Sequence, residues 1–172
     1  MDTSDDYGRA LQVALRYVSF RQRSISEVRR RVGKEFSQPV VEQVLASLNR
    51  YGYLDDEDFA QQWRDSRNRR RPRGTFALRR ELRDKGVADS IIDTTLEGLD
   101  EFGNAHRAGD RQAQRWLERG DMAYTTFRRK MWDYLRRRGF GSNVAKDTTE
   151  RLWAEHGRRG ETEVDPTPEG LV

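Results

Sequence analysis

Apolar residues recur along this chain with the spacing of an amphipathic helix, and one such stripe occurs three times. The first stripe consists of Val40, Val41, Val44, Leu45 and Leu48. Its i, i+1, i+4, i+5, i+8 spacing is typical of a helix that buries one face. The pattern begins again at position 91, 51 residues on, and at position 144, 53 residues beyond that, where two threonines replace aliphatic residues. Three stripes in register are far rarer than one, so they indicate an internal repeat.

The residues before each stripe also repeat. In the second and third units a helix pattern ends on Gly86 and on Gly139, each followed by an apolar residue. Glycine at this position permits the left-handed conformation that ends many helices. The first unit has Gly33 one residue out of register, so its helix end is predicted to be less regular. Further upstream, each unit has another amphipathic stretch, around Leu11, Phe59 and Trp116 respectively.

Signals for helix starts fit the same division. Ser24 and Glu27 form the S-x-x-E pattern of a capping box. Ser37 with Pro39 can open the next helix, because proline is tolerated in a first turn. Asp55 can cap the helix that follows it. No alternation typical of strands competes with this interpretation.

These signals predict an all-α protein of three tandem three-helix repeats that form an elongated, curved, solenoid-like body. The repeats are expected at 8–52, 53–102 and 103–157. An acidic segment, 1–7, precedes them, and an acidic tail, 158–172, follows and is expected to be mobile. A unit of roughly 50 residues buries too little surface to be stable alone, so we expect neighbouring repeats to stabilise one another.

The residues offer little for catalysis. Without cysteine, the chain has no disulfide, no Cys-zinc site and no thiol nucleophile. His106 and His156 lack the spacing of metal ligands or of a nucleophile–base pair, and Gly33-Lys34 lacks the rest of a phosphate-binding loop. We therefore expect no enzyme, no cofactor and no metal. The absence of a signal-peptide pattern and of any apolar run near ~18 residues predicts a cytoplasmic protein without a membrane partner.

Charge is distributed unevenly. The formal net charge is +4, yet residues 64–85 carry ten bases and three acids, and residues 128–138 carry six bases and one acid. Such local fields favour an anionic partner, and arginine forks match phosphate and carboxylate groups. The candidate binding residues are Arg67, Arg69, Arg70, Arg71, Arg73, Arg79, Arg80, Arg83, Lys85, Arg128, Arg129, Lys130, Arg136, Arg137 and Arg138.

A competing interpretation is a solvated face with local ion pairs such as Glu81–Lys85. It carries more weight for 128–138, where bases near a helix C-terminus are favoured by the helix dipole. The four tryptophans could stack on nucleobases, but Trp63 and Trp116 fall on apolar stripes and are predicted to be core residues. The position of Trp132 stays open, because its neighbours already define the inward side of that helix.

An ordered set of motifs resembles the RecX family of RecA regulators. It comprises Tyr51-Gly52-Tyr53-Leu54-Asp55-Asp56 with Phe59-Ala60, Arg21 and Arg23-Ser24 before Glu27, Glu81-Leu82 with Lys85-Gly86-Val87, and Arg137-Arg138-Gly139-Phe140. Together these motifs span roughly residues 10–153 in the order and spacing of the family. The first unit departs from the family pattern, since it lacks the usual Lys-Gly-Phe ending.

The resemblance implies tandem three-helix repeats, no chemistry, and a partner: the RecA nucleoprotein filament, whose groove the protein would occupy, usually as an inhibitor. Activity would thus bear on strand exchange and the SOS response. The alternative is a non-specific binder of single-stranded DNA, and in either case we expect a monomer. The signature residues expected to be structural are Gly52, Tyr53, Leu54, Asp55, Phe59, Gly86 and Gly139.

Overall fold

A computed structural model describes residues 3–118 and 120–157, and this part of the chain consists of nine α-helices without any strand. The helices are α1 (Thr3–Ser19), α2 (Ile25–Val32), α3 (Gln38–Arg50), α4 (Asp56–Arg70), α5 (Thr75–Asp84), α6 (Asp89–Leu96), α7 (Glu101–Leu117), α8 (Tyr124–Arg137) and α9 (Ser142–His156). The predicted all-α class is confirmed. None of the described helices is both long and apolar enough to span a bilayer. The predicted tail, 158–172, lies outside the described residues.

Three hydrophobic cores account for this architecture, each built by three consecutive helices. The central buried residues are Val28, Val32, Val44 and Leu48 in α1–α3, Phe59, Leu78, Leu82 and Ile92 in α4–α6, and Phe127, Met131, Leu135 and Leu152 in α7–α9. The stripe of α3 is buried in full, and so is the stripe of α9 with its two threonines. The prediction of three tandem three-helix repeats is therefore confirmed.

The described chain divides into two compact units. The first contains the chain up to Arg70 together with Ala77–Leu99, and the second contains Arg71–Phe76 and the chain from Asp100 onward. Within the second unit, the amide of Gly74 donates to the carbonyl of Arg138 at 3.0 Å. A Cβ on Gly74 would lie 2.2 Å from the Gly139 carbonyl oxygen, so this close approach requires glycine.

Helix ends follow the predicted chemistry. Gly86 and Gly139 have φ of +76° and +84°, the left-handed conformation that the sequence predicts. After Gly86 the amide of Val87 donates to the carbonyl of Leu82 at 3.1 Å, and the equivalent bond after Gly139 measures 3.2 Å. These are the bonds of a Schellman motif. Gly33 has φ of −65° instead, so the predicted irregular end of the first unit is confirmed.

The signature segment lies at the joint between α3 and α4. Gly52 ends the turn after α3 with φ of +72°, and Leu54 is 2% exposed within the first core. The carboxylate of Asp55 accepts hydrogen bonds from the amides of Glu57 at 2.9 Å and Asp58 at 3.0 Å, which caps α4. Phe59 is buried in the second core, whereas Tyr53 is 54% exposed and packs in neither core.

Inside the first unit, polar contacts join the first two repeats. The hydroxyl of Ser24 donates to the carbonyl of Lys85 at 2.6 Å. The carboxylate of Asp56 accepts a hydrogen bond from the amide of Ile25 at 2.9 Å and so satisfies a free donor at the start of α2. A Cβ on Gly86 would lie 2.3 Å from the Cβ of Ser26. The backbone of the second repeat thus contacts the capped start of α2.

Candidate interaction surface

Many bases of the segment 64–85 pair with acids of the same unit. The ion pairs are Arg64–Asp65 at 2.8 Å, Arg67–Glu81 at 2.7 Å, Arg79–Asp93 at 2.6 Å, Arg83–Asp89 at 2.7 Å and Lys85–Glu27 at 3.0 Å. The positive charge available to a partner is therefore smaller than the sequence count suggests.

Arg79 and Arg83 illustrate the difference. Their four-residue spacing on α5 suggests that both guanidinium groups face a partner in parallel. Instead, each forms an ion pair with an aspartate of α6, Arg79 with Asp93 and Arg83 with Asp89. The hydrogen bond from Arg83 lowers the pKa of Asp89 and raises that of Arg83 itself. For these two arginines the competing interpretation, a face with local ion pairs, describes the structure. Solvent screens exposed pairs of this kind, so they are weak and an external anion can still compete for the arginines.

The connection after α4 differs. Arg69, Arg70 and Arg71 at this connection are exposed, as is Arg80 on α5, and none of the four forms an ion pair with any described residue. Arg73 is half-buried. Among the candidates of the segment, the four exposed arginines are therefore best placed to meet an external anion.

In the third repeat, several bases lie over aromatic rings. Lys130 lies 5.5 Å from the ring centre of Trp116, Arg136 lies 5.6 Å from that of Trp132, and Arg138 lies 4.5 Å from that of Tyr134. Arg136 also donates to the Phe140 carbonyl at 2.8 Å. By contrast, Arg128, Arg129 and Arg137 are exposed and form no ion pair within the described part of the chain. The cluster thus contains cations that contact aromatic rings of the third repeat and exposed cations that an external anion can reach.

The tryptophans are less buried than predicted. Trp63 and Trp116 pack against the second and third cores, but both are half-buried. The indole N–H of Trp63 donates to the carboxylate of Glu81 at 2.8 Å, which keeps one edge of the ring in a polar setting. Trp132 is 39% exposed, while Met131 beside it is fully buried. The sequence left the position of Trp132 undecided, and the structure places its side chain on the outer side of α8.

Each of the two histidines, which lack the spacing of metal ligands in the sequence, lies beside a carboxylate in the structure. The Nε2 atom of His106 lies 2.6 Å from Glu155 and that of His156 lies 2.8 Å from Asp110, so two pairs join α7 to α9. Ligand atoms of His106, Asp110 and Glu155 lie within 4.8 Å of one another. The hydrogen bond from His106 lowers the pKa of Glu155, burial opposes this change, and Arg151 adds to it. A cation bound there would have to replace these hydrogen bonds.

This cluster could be anticipated only in part. His106 and Asp110 stand four residues apart and hence on one face of α7, which is a recognisable signal. Their partners lie 49 and 46 residues away in the sequence, so the pairing depends on how α7 and α9 pack.

Tandem three-helix repeats with exposed arginine clusters define a class of helical repeat proteins with surfaces suited to binding. Comparison with known protein families shows to which family this chain belongs. Residues 10–48 match the model of the first three-helix domain of RecX, and residues 55–96 match that of the second. The chain therefore belongs to the RecX family of regulatory proteins.

Individual relatives agree with this assignment. The regulatory protein RecX of Chlorobium phaeobacteroides is 31% identical over 153 residues, which covers 88% of this chain and 97% of the relative. RecX of a Mycobacterium species, strain JLS, is 35% identical over 151 residues, with 84% and 82% covered. The crystal structure of RecX from Lactobacillus salivarius matches with a TM-score of 0.76 at 18% identity, covering 87% of this chain and 97% of that one. That structural match supports the fold.

Proposed function

We propose that this chain is a cytoplasmic regulator of the RecA recombinase that binds along the groove of the RecA–DNA filament and inhibits ATP hydrolysis and strand exchange. One observation carries the proposal: membership of the RecX regulatory family, with identity of 31–35% over more than four fifths of the chain in the relatives described above. The family resemblance of the sequence motifs supplies RecA as the partner.

The surface is consistent with such a partner. In the part of the chain that the structure describes, arginines that are exposed and form no ion pair lie at the connection after α4, on α5 and along α8. Guanidinium groups of this kind bind carboxylates of a protein as well as phosphates of DNA. A filament groove presents both, so a chain with two separate arginine clusters has suitable groups for it.

The test is a titration of the DNA-dependent ATPase of RecA from the same organism with the full chain. We expect inhibition at protein concentrations well below those that would coat the DNA, because the target is the filament. The concentration for half-inhibition should follow the concentration of RecA filaments and stay constant when free single-stranded DNA is added. Inhibition that disappears when DNA is added in excess would support the alternative, a protein that coats single strands. An unchanged ATPase rate at equimolar protein would contradict the proposal.

A further inference from the structure

Four side chains with metal-ligating atoms meet where α7 packs against α9 in the third repeat. His106 and Asp110 stand four residues apart on one face of α7, and Glu155 and His156 are the last two residues of α9. One ligand atom each of His106, Asp110 and Glu155 lie within 4.8 Å of one another. The sequence predicts no metal here, because only the packing of the two helices brings these side chains together.

The distances between these atoms are close to those that a metal ion requires. Zinc binds imidazole nitrogen and carboxylate oxygen at roughly 2.0–2.2 Å, so at a tetrahedral angle two neighbouring ligand atoms lie about 3.3–3.5 Å apart. The Nε2 atom of His106 lies 2.6 Å from Oε2 of Glu155, and no pair in the set of three exceeds 4.8 Å. Each distance needs to change by at most about 1.5 Å, which small side-chain rotations can supply.

The charges of the three ligands match a divalent cation. Asp110 and Glu155 supply two carboxylates, and His106 supplies a nitrogen donor. A competing cation is present, since Nε of Arg151 lies 2.9 Å from Oε1 of Glu155. That contact uses the carboxylate oxygen that faces away from His106, and the Arg151 side chain is 72% exposed. Arg151 therefore weakens the attraction for an ion but leaves the ligand atom Oε2 accessible.

His156 supports this arrangement from outside it. Its Nε2 atom lies 2.8 Å from Oδ1 of Asp110. A hydrogen bond to one carboxylate oxygen orients the other oxygen toward an ion, and such outer contacts commonly fix the ligands of metal sites. His106 and Asp110 are half-buried and Glu155 is exposed, so an ion can enter from solvent. Three protein ligands leave a fourth position for water.

The donor set selects among cations. Mg²⁺ and Ca²⁺ prefer sites made of oxygen ligands, whereas an imidazole nitrogen beside carboxylates suits Zn²⁺ and its neighbours in the first transition row. The chain has no cysteine, so no thiolate elsewhere competes for such an ion.

We propose that His106, Asp110 and Glu155 bind a divalent transition-metal ion of the zinc type, which links α7 to α9. Two separate hydrogen-bonded pairs would not require a third ligand atom beside His106 and Glu155, and the position of Asp110 there favours a shared ion. Because α7 and α9 bury their apolar faces in the same core, the bound ion would stabilise the third repeat. The proposal goes beyond RecA regulation because it requires neither RecA nor DNA.

The experiment titrates the full chain, without an affinity tag, with Zn²⁺ at about pH 7.5, where imidazole ligands are free of protons. Isothermal calorimetry should show one ion bound per chain. Zn²⁺ at ten times its Kd should raise the melting temperature by roughly 3–6 °C. Mg²⁺ at the same concentration should leave the melting temperature unchanged, because the site contains too few oxygen ligands for it.

Four variants locate the site. His106→Gln removes a ligand and should weaken Zn²⁺ binding more than about tenfold, since even an outer-shell contact is commonly worth that much. His156→Phe keeps a ring but removes the outer contact, so it should weaken binding less than His106→Gln does. Arg151→Ala removes the competing cation and should tighten binding, a gain that impaired folding cannot produce. Asp133→Asn, at an exposed acid of α8 outside the cluster, should leave the affinity unchanged.

NMR of the ring nitrogens identifies the ligand directly, because the chain has two histidines. Zn²⁺ should shift the Nε2 resonance of His106 far more than either nitrogen of His156. Equal shifts of both rings would contradict the assigned ligand set. Equal affinities of His106→Gln and Asp133→Asn, or binding of Mg²⁺ as tight as that of Zn²⁺, would overturn the proposal, as would the absence of any heat or shift at about 1 mM Zn²⁺.

Discussion

Glu27 is the clearest case of a charged residue whose surroundings decide its chemistry. The side chain is 8% exposed and pairs with Arg21 at 2.9 Å and with Lys85 at 3.0 Å. It also accepts a hydrogen bond from the amide of Ser24 at 3.3 Å. Burial by itself would raise the pKa of Glu27, but the hydrogen bonds from Arg21, Lys85 and Ser24 outweigh it, and the net pKa is lowered. The ionised form therefore stabilises the first unit.

The lowered pKa of Glu27 predicts how the stability of the fold changes with pH. The stabilisation is complete above the ordinary glutamate pKa of 4.5 and is lost as the pH falls further, through the lower pKa of the folded state. We expect Glu27→Gln to cost about 1–3 kcal/mol at neutral pH, as hydrogen bonds to a charged group are lost. The gap to wild type should close below about pH 4.5 in urea unfolding.

Glu42 provides the matched control for that measurement. It forms an ion pair with Arg29 at 3.1 Å, but its side chain is 48% exposed. Glu42→Gln should therefore change the free energy of unfolding by at most about 1 kcal/mol at every pH. A cost for Glu27→Gln that stays constant down to about pH 3 would show that ionisation of Glu27 does not stabilise the fold.

At the scale of elements, two serines at helix starts have different roles. The hydroxyl of Ser24 accepts a hydrogen bond from the amide of Glu27 at 3.1 Å and donates to the carbonyl of Lys85 at 2.6 Å. Ser37 precedes α3 but its side chain forms no capping bond. We expect Ser24→Ala to cost about 1–2 kcal/mol and Ser37→Ala no more than a few tenths, measured by thermal or urea unfolding. Equal costs for the two variants would mean that the capping box does not stabilise α2.

The elements themselves were largely predictable, because their signals are local. Apolar stripes at helical spacing predict the buried faces of α3 and α9, and the capping pattern of Ser24 predicts the start of α2. Side-chain partners were not predictable, because they depend on packing between helices. The Asp93 partner of Arg79 and the Glu155 partner of His106 lie 14 and 49 residues away. A cleft between α8 and α9 likewise depends on how these two helices pack.

At the scale of the whole molecule, the net charge is only +4 because 33 basic residues are largely offset by 29 acidic residues. Ion pairs within the first unit neutralise bases of the segment 64–85, while Arg69, Arg70 and Arg71 are exposed and form no ion pair with any described residue. Pairing therefore concentrates the positive charge available to a partner into short stretches. A variant that removes unpaired charge should affect binding far more than a variant that removes paired charge.

This reasoning predicts different effects for two sets of arginines in the RecA ATPase titration. A triple variant with alanine at 69, 70 and 71 should raise the concentration for half-inhibition about tenfold, equivalent to about 1.4 kcal/mol of binding free energy. A double variant, Arg79→Ala with Arg83→Ala, should raise it much less, because binding through these residues first requires breaking their pairs with Asp93 and Asp89. Solvent weakens exposed ion pairs, so the helicity of both variants should match wild type and melting should change little. If the double variant loses more inhibition than the triple, the partner displaces the aspartates, and the surface that binds RecA is centred on α5.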